Sequence, residues 1–114
     1  MSESKDVWWE GSSLDDLLSF PRNAVHDMGY QIHLVQTGEM PDDWKPLSKL
    51  GKGISGVYEI RLSIDSNIYR TAYVTKFGNV VAVLHCWQKK THATAQSDRD
   101  LIVKRYRSVQ EKFG

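Results

Sequence analysis

The chain has 114 residues, 40% of them hydrophobic and 25% charged, with a formal net charge of +1. That is an ordinary globular composition, sufficient for one domain over residues 1–114 with a modest core, and no run reaches the roughly 18 apolar residues that a membrane span needs. The polar Met-Ser-Glu-Ser-Lys-Asp at residues 1 to 6 lacks the apolar centre of a signal peptide, and a lone Cys86 permits neither an internal disulfide nor a metal-ligand pattern. No metal and no cofactor are therefore expected, Cys86 reads as a buried inert thiol, and the chain reads as cytoplasmic.

The near-neutral total hides a division. Residues 1–44 carry nine acidic side chains against Lys5 and Arg22, whereas residues 45–114 carry thirteen Lys or Arg against five acids. Such a split suggests that the second part meets a polyanion, although attraction between the two parts within the fold would also account for it.

In chain order, Asp6 to Gly11 suggests a short first strand. Ser13 followed by Asp16 resembles a capping box, with Leu14, Leu17 and Leu18 at helical spacing behind it. Pro21 restarts a helix in its first turn, and Val25, Met28, Ile32 and Val35 form one apolar stripe that Gly38 ends. His26 and His33 share a face of this helix without a ligand-spaced partner and read as surface residues. Residues 38–53, with Gly38, Gly51, Gly53, Pro41 and Pro46, read as a loop anchored by Trp44 and Leu47. Gly51-Lys52-Gly53 is too short for a phosphate-binding loop.

Three strands follow. Tyr58, Ile60, Leu62 and Ile64 alternate with Glu59, Arg61 and Ser63, the pattern of a half-buried strand. A turn at Asp65-Ser66-Asn67 leads to a second strand over residues 69–76, and Gly78-Asn79 leads to a third over residues 80–88. Ser97 with Asp100 opens a last helix whose inner stripe is Ile102, Tyr106, Val109 and Phe113. The expected fold is α+β: N-terminal helices, an antiparallel meander, and a closing helix. One sheet face is expected to lie under helices while the other stays open as a concave platform.

The end of the third strand carries the chemistry. His85 and Trp87, two residues apart, share a face, and Lys89, Lys90 and Thr91 follow at the strand's end. Arg61 and Arg70 sit on neighbouring strands. Cleavage of RNA by its own 2′-hydroxyl needs a base, cations to stabilise the phosphorus centre, and a proton donor for the leaving oxygen. Arginine and lysine meet the second need without a metal. His85, a lysine of lowered pKa or Tyr73 would serve the others. Strict alternation puts Arg70 and Tyr73 on opposite faces, so a bulge or an end position must reconcile them if both serve one site. Trp87 or Tyr73 would stack a base, and Lys76, Thr91 and His92 would add backbone contacts.

Tyr58-Glu59-Ile60-Arg61-Leu62, Tyr69-Arg70 with Tyr73, and Leu84-His85-Cys86-Trp87-Gln88-Lys89-Lys90-Thr91 resemble the phage-derived, HigB-like toxins of the RelE superfamily. The resemblance covers roughly residues 7–108. It implies a RelE-like fold and the toxin of a type II toxin–antitoxin pair, an endoribonuclease that cleaves mRNA on the ribosome and inhibits translation. It also implies a small helix-turn-helix, HigA-like antitoxin encoded nearby, with operator DNA bound only through the complex. By position, Arg61, Arg70, Lys89 and Lys90 would bear the charge, with Tyr73 and His85 as auxiliary proton-transfer groups. The chain departs from the family pattern at Trp87, often phenylalanine there, and at Ala93 and Ala95, where a lysine and a proline are usual. His92 stands next to the missing cation. The loss at Ala93 leaves a second expectation standing, a non-catalytic relic of the same fold that binds RNA or protein. Direct DNA binding by the chain alone lacks a helix-turn-helix pair to support it.

Overall fold

The computed structural model describes residues 4–89 and 94–114. Its elements are β1 (Asp6–Trp9), α1 (Ser13–Leu18), α2 (Arg22–Gln36), β2 (Trp44–Pro46), β3 (Val57–Ile64), β4 (Asn67–Val74), β5 (Val80–Lys89) and α3 (Gln96–Phe113). The fold is α+β, with one five-stranded mixed sheet in the order β1-β5-β4-β3-β2. Strands β2 to β5 pair antiparallel, and β1 lies parallel to β5. That parallel pairing makes β5 an interior strand. It explains why β5 reads as an unbroken apolar run: both of its faces are covered. No described helix is long and apolar enough to cross a membrane.

Helices α1 and α2 cover one face, where Leu17, Ala24, Met28, Ile32 and Val35 pack on Ile60, Tyr69, Tyr73, Val81, Val83 and Cys86. Helix α3 covers the other, where Ile102, Tyr106 and Val109 pack on Val57, Ala72, Val74, Ala82 and Leu84. Full burial of such side chains stabilises by about 1.5–3 kcal/mol each. The open platform expected from the alternation in β3 is therefore absent. The helix that looked like a simple closing element fills that face, and Glu59, expected to face solvent, is fully buried.

Several local expectations shift with the tertiary contacts. Ser12, not Ser13, precedes α1 and bonds Asp16 at 2.9 Å, while the buried Ser13 hydroxyl donates to the Val83 carbonyl at 3.2 Å. Pro21 is the N-cap of α2 rather than a first-turn residue, and Ala24 replaces Val25 as the buried start of the stripe. Helix α3 starts at Gln96 behind Ala95, one residue ahead of the expected Ser97. The stretch expected to be loop contains β2, whose Pro46 is tolerated because an edge strand can spare an N–H. The β3–β4 hairpin turns on Asp65 and Ser66, both left-handed at φ 51° and 70°, as a two-residue type I′ turn requires.

A bulge in β5 matters for the site. Ala72 pairs with His85 but Tyr73 pairs with Val83, so Leu84 is an extra residue. Leu84 and His85 consequently both serve the α3 side, one in the core and the other at its polar margin.

Candidate RNA-binding site

The α3 side of the sheet changes character along its strands. Toward Val57 and Val74 it is apolar, and toward the other end it carries two polar rows. One row runs Lys45–Glu59–Ala72–His85 across β2 to β5, and the next runs Arg61–Arg70–Trp87 across β3 to β5. Arg61 and Arg70 stand directly opposite each other, an arrangement that repels unless each charge is answered. Each is answered separately. The buried Arg70 guanidinium donates through Nη1 to Glu59 Oε2, and the half-exposed Arg61 donates through Nε and Nη2 to Asp43 Oδ1 at 3.0 and 2.7 Å.

Glu59 is the hub of the cluster. Besides Arg70 it holds Lys45 Nζ at 3.6 Å, and Thr94 donates to its other oxygen at 3.4 Å. Between Glu59 and His85 the row holds only the methyl of Ala72, which leaves room for Arg70 to lean toward its partner. A carboxylate buried this deeply persists only because it is paired and hydrogen-bonded.

Lys89 closes the cluster from β5. Burial, followed by the neighbouring positive charges of Arg70, Lys45 and Arg61, lowers its pKa, and Glu59 opposes that shift in part. Four strands thus bring Lys45, Arg61, Arg70 and Lys89 within electrostatic reach of one another. Beside them, the His85 ring stacks on Trp87 at 4.7 Å and 11°. His85 Nε2 lies 2.7 Å from Asp98 Oδ1, while the buried His85 Nδ1 and Arg70 Nε have no hydrogen-bond partner among the described residues.

Of the residues nominated by the sequence, Arg61, Arg70, His85, Trp87 and Lys89 are brought together. Tyr73 is not: it projects from the opposite face, against Tyr58 at 5.9 Å, where burial and then Tyr58 push its pKa up to about 12. The bulge lies in β5 and leaves the alternation of β4 intact, so it does not bring Tyr73 to the face of Arg70. Lys76 lies beyond the far end of β4, donates to Ser55 at 2.8 Å and sits over the Tyr106 ring at 5.3 Å. Lys90, Thr91, His92 and Ala93 lie outside the described residues. Ala95 caps α3.

Sequence reading missed Lys45, Glu59, Asp43, Thr94 and Asp98. Lys45 was hidden in a loop with no periodicity, and Glu59 in a polar alternation that looked solvated. Asp98 carried only the weak signal of an acid in a helix's first turn. Arg99 and Arg105 brace α3: they donate to the Ser48 and Leu84 carbonyls at 2.6 and 2.9 Å. Among the described residues no group of three or more His, Cys, Asp and Glu could hold a metal ion. The arrangement can grip a phosphate through guanidinium and ammonium groups and supply a lysine that gives up its proton more readily than usual.

A family model described as phage-derived protein Gp49-like (DUF891) matches residues 15–107, from the first turn of α1 to the later turns of α3. The match spans the whole cluster. No curated protein matches the chain.

Proposed function

The chain belongs to the phage-derived Gp49-like protein family, and from that membership together with the cation cluster we propose that it is the toxin of a type II toxin–antitoxin pair. In this reading it is a cytoplasmic, ribosome-dependent and metal-independent endoribonuclease that cuts mRNA and stops translation. Its partner is a helix-turn-helix, HigA-like antitoxin, and it meets operator DNA only through that partner.

The observation that carries the reading is the convergence of Lys45, Arg61, Arg70 and Lys89 from four strands, with Lys89 driven toward its neutral form by burial and by like charge. A lowered pKa is what a lysine needs to act as a base near neutral pH. Lys89, its pKa lowered, takes the 2′-hydroxyl proton through its unprotonated form as the 2′-oxygen attacks the adjacent phosphorus. The P–O5′ bond then breaks to leave a 2′,3′-cyclic phosphate, and the leaving 5′-oxygen takes a proton from solvent water. Arg61, at the half-exposed end of its row, meets the phosphate directly. Arg70, held by Glu59, supports the positive field from beneath. Charge of this kind, fixed before the substrate arrives, commonly contributes a factor of about 10²–10³ in rate per donor.

The test is induced expression in a bacterial host with and without the neighbouring reading frame, followed by mapping of mRNA 5′ ends. Growth arrest with new, translation-dependent ends that the neighbour suppresses is expected. Normal growth with no new ends, at confirmed soluble expression, would discard the toxin reading. A second reading, a binding module without catalysis, draws on the carboxylates already seated on Arg61 and Arg70. It predicts RNA or protein binding with no cuts.

A further inference from the structure

We propose that Asp98 is a positioning residue for RNA recognition: it sets the tautomer and plane of His85, and through the stacked imidazole holds the Trp87 indole beside Arg70. The proposal rests on the reading of this face as the RNA site.

Asp98 lies in the first turn of α3, and its Oδ1 is 2.7 Å from His85 Nε2. An ionised carboxylate only accepts, so Nε2 is the ring nitrogen that carries the hydrogen facing Asp98. That hydrogen bond fixes the ring's rotation. The ring in turn lies 11° from parallel to the Trp87 indole at a centroid distance of 4.7 Å, so a wall of two stacked rings results. Trp87 is the registered partner of Arg70, and both point to the α3 side. The chain of contacts Asp98–His85–Trp87 therefore ends at the cation cluster.

Among the described residues His85 Nδ1 has no hydrogen-bond partner, a cost that an apolar ring at this position would avoid. Trp87 is only 8% exposed and belongs to the α3-side core, so the dyad acts on RNA through the cation that the indole neighbours, Arg70, and not through an open face for a base. Asp98 also lies where an acid favours the helix dipole, so the test must separate that role from positioning.

Imidazole ¹⁵N spectra of the labelled full chain are the first readout, and they need neither a variant nor activity. His85 is expected as the Nε2–H tautomer. An Nδ1–H tautomer would overturn the proposal. The second readout is the rate of translation-dependent cleavage against mRNA concentration. Asp98→Ala and Trp87→Ala are each expected to raise KM about 10-fold with kcat changed less than about 2-fold, and the double variant is expected to be no worse than either alone. Additive losses, or a fall in kcat at constant KM, would overturn it.

Asp98→Asn keeps an acceptor oxygen but loses the charge. Positioning predicts a KM near that of the parent chain even where thermal stability falls, and a dipole role predicts that KM and stability change together. If the parent chain makes no cuts, the toxin reading fails, while the tautomer still decides whether the dyad exists.

Discussion

The α3 side of the sheet holds two halves built on the same strands and under the same helix, and they follow opposite rules. In one half Val57, Val74, Ala82 and Leu84 pack against Ile102, Tyr106 and Val109 in one hydrophobic cluster. In the other, a step or two along each strand, Glu59, Arg61, Arg70, His85 and Lys89 replace them. The apolar half stabilises the fold. The polar half places four cations together at the cost of a buried carboxylate and of two buried nitrogens that have no partner among the described residues. A protein selected for stability alone gains nothing from that half, because well-packed apolar groups do as well or better at such positions. The contrast between the halves is the physical case for a functional surface.

The sharpest way to break the comparison is to remove one member of the buried pair. Arg70→Met leaves Glu59 charged in the interior, and a loss of about 3–5 kcal/mol is expected in denaturant unfolding. Replacing both, as Arg70→Met with Glu59→Leu, is expected to recover most of that loss while abolishing cleavage. That would show the pair to be retained for work rather than for stability. In the apolar half, Ile102→Ala is expected to cost about 2–5 kcal/mol through lost burial and a residual cavity. Its folded fraction should cut mRNA at the parental rate.

At the exposed edge, Arg61→Ala is expected to change stability by less than about 1 kcal/mol, since surface ion pairs contribute little. It is nonetheless expected to lower cleavage by about 10²-fold. Equal small effects on both would place the phosphate elsewhere.

The smallest expected effects are in pH dependence, and the two faces differ in sign. On the α1/α2 face, burial raises the Cys86 thiol from 9.0 to about 12 and the Tyr73 hydroxyl from 10.0 to about 12. The folded state keeps protons that the unfolded chain releases. Their contribution to stability is therefore complete below pH 9.0 and is lost as pH rises toward about 12. Lys89, lowered from 10.5, runs the other way: its contribution is complete above 10.5 and is lost as pH falls through its folded value. Alkaline melts of Cys86→Ala and Lys89→Met should therefore depart from the parent in opposite directions. Cys86 should also resist a thiol reagent at pH 8 until the chain is unfolded, because only the thiolate reacts.

The sheet half of the fold was legible because its signals are local. Alternation over residues 58–64, turn chemistry at Asp65-Ser66, and the apolar run into Lys89 each state their own structure. What escaped was tertiary. Alternation identifies which residues share a face but not whether that face is covered, so Glu59 looked solvated until α3 was seen lying over it. Arg61, Arg70, His85, Trp87 and Lys89 were found because cations and aromatics at the ends of neighbouring strands converge whenever the strands pair in register. Tyr73 was misplaced with them by proximity in sequence, and Lys76 by charge alone. Asp98 and Lys45 reach the cluster from a helix turn and from an edge strand, and periodicity cannot connect either to the meander.

The comparison between nominated and assembled residues offers the most direct test of the account. Two folded variants should be expressed and their mRNA 5′ ends mapped: Arg61→Ala with Lys89→Ala from the assembled cluster, and Tyr73→Phe with Lys76→Ala from outside it. Translation-dependent cuts that vanish in the first variant and persist in the second are the predicted result. Cuts that persist in the first variant and vanish in the second would contradict the account.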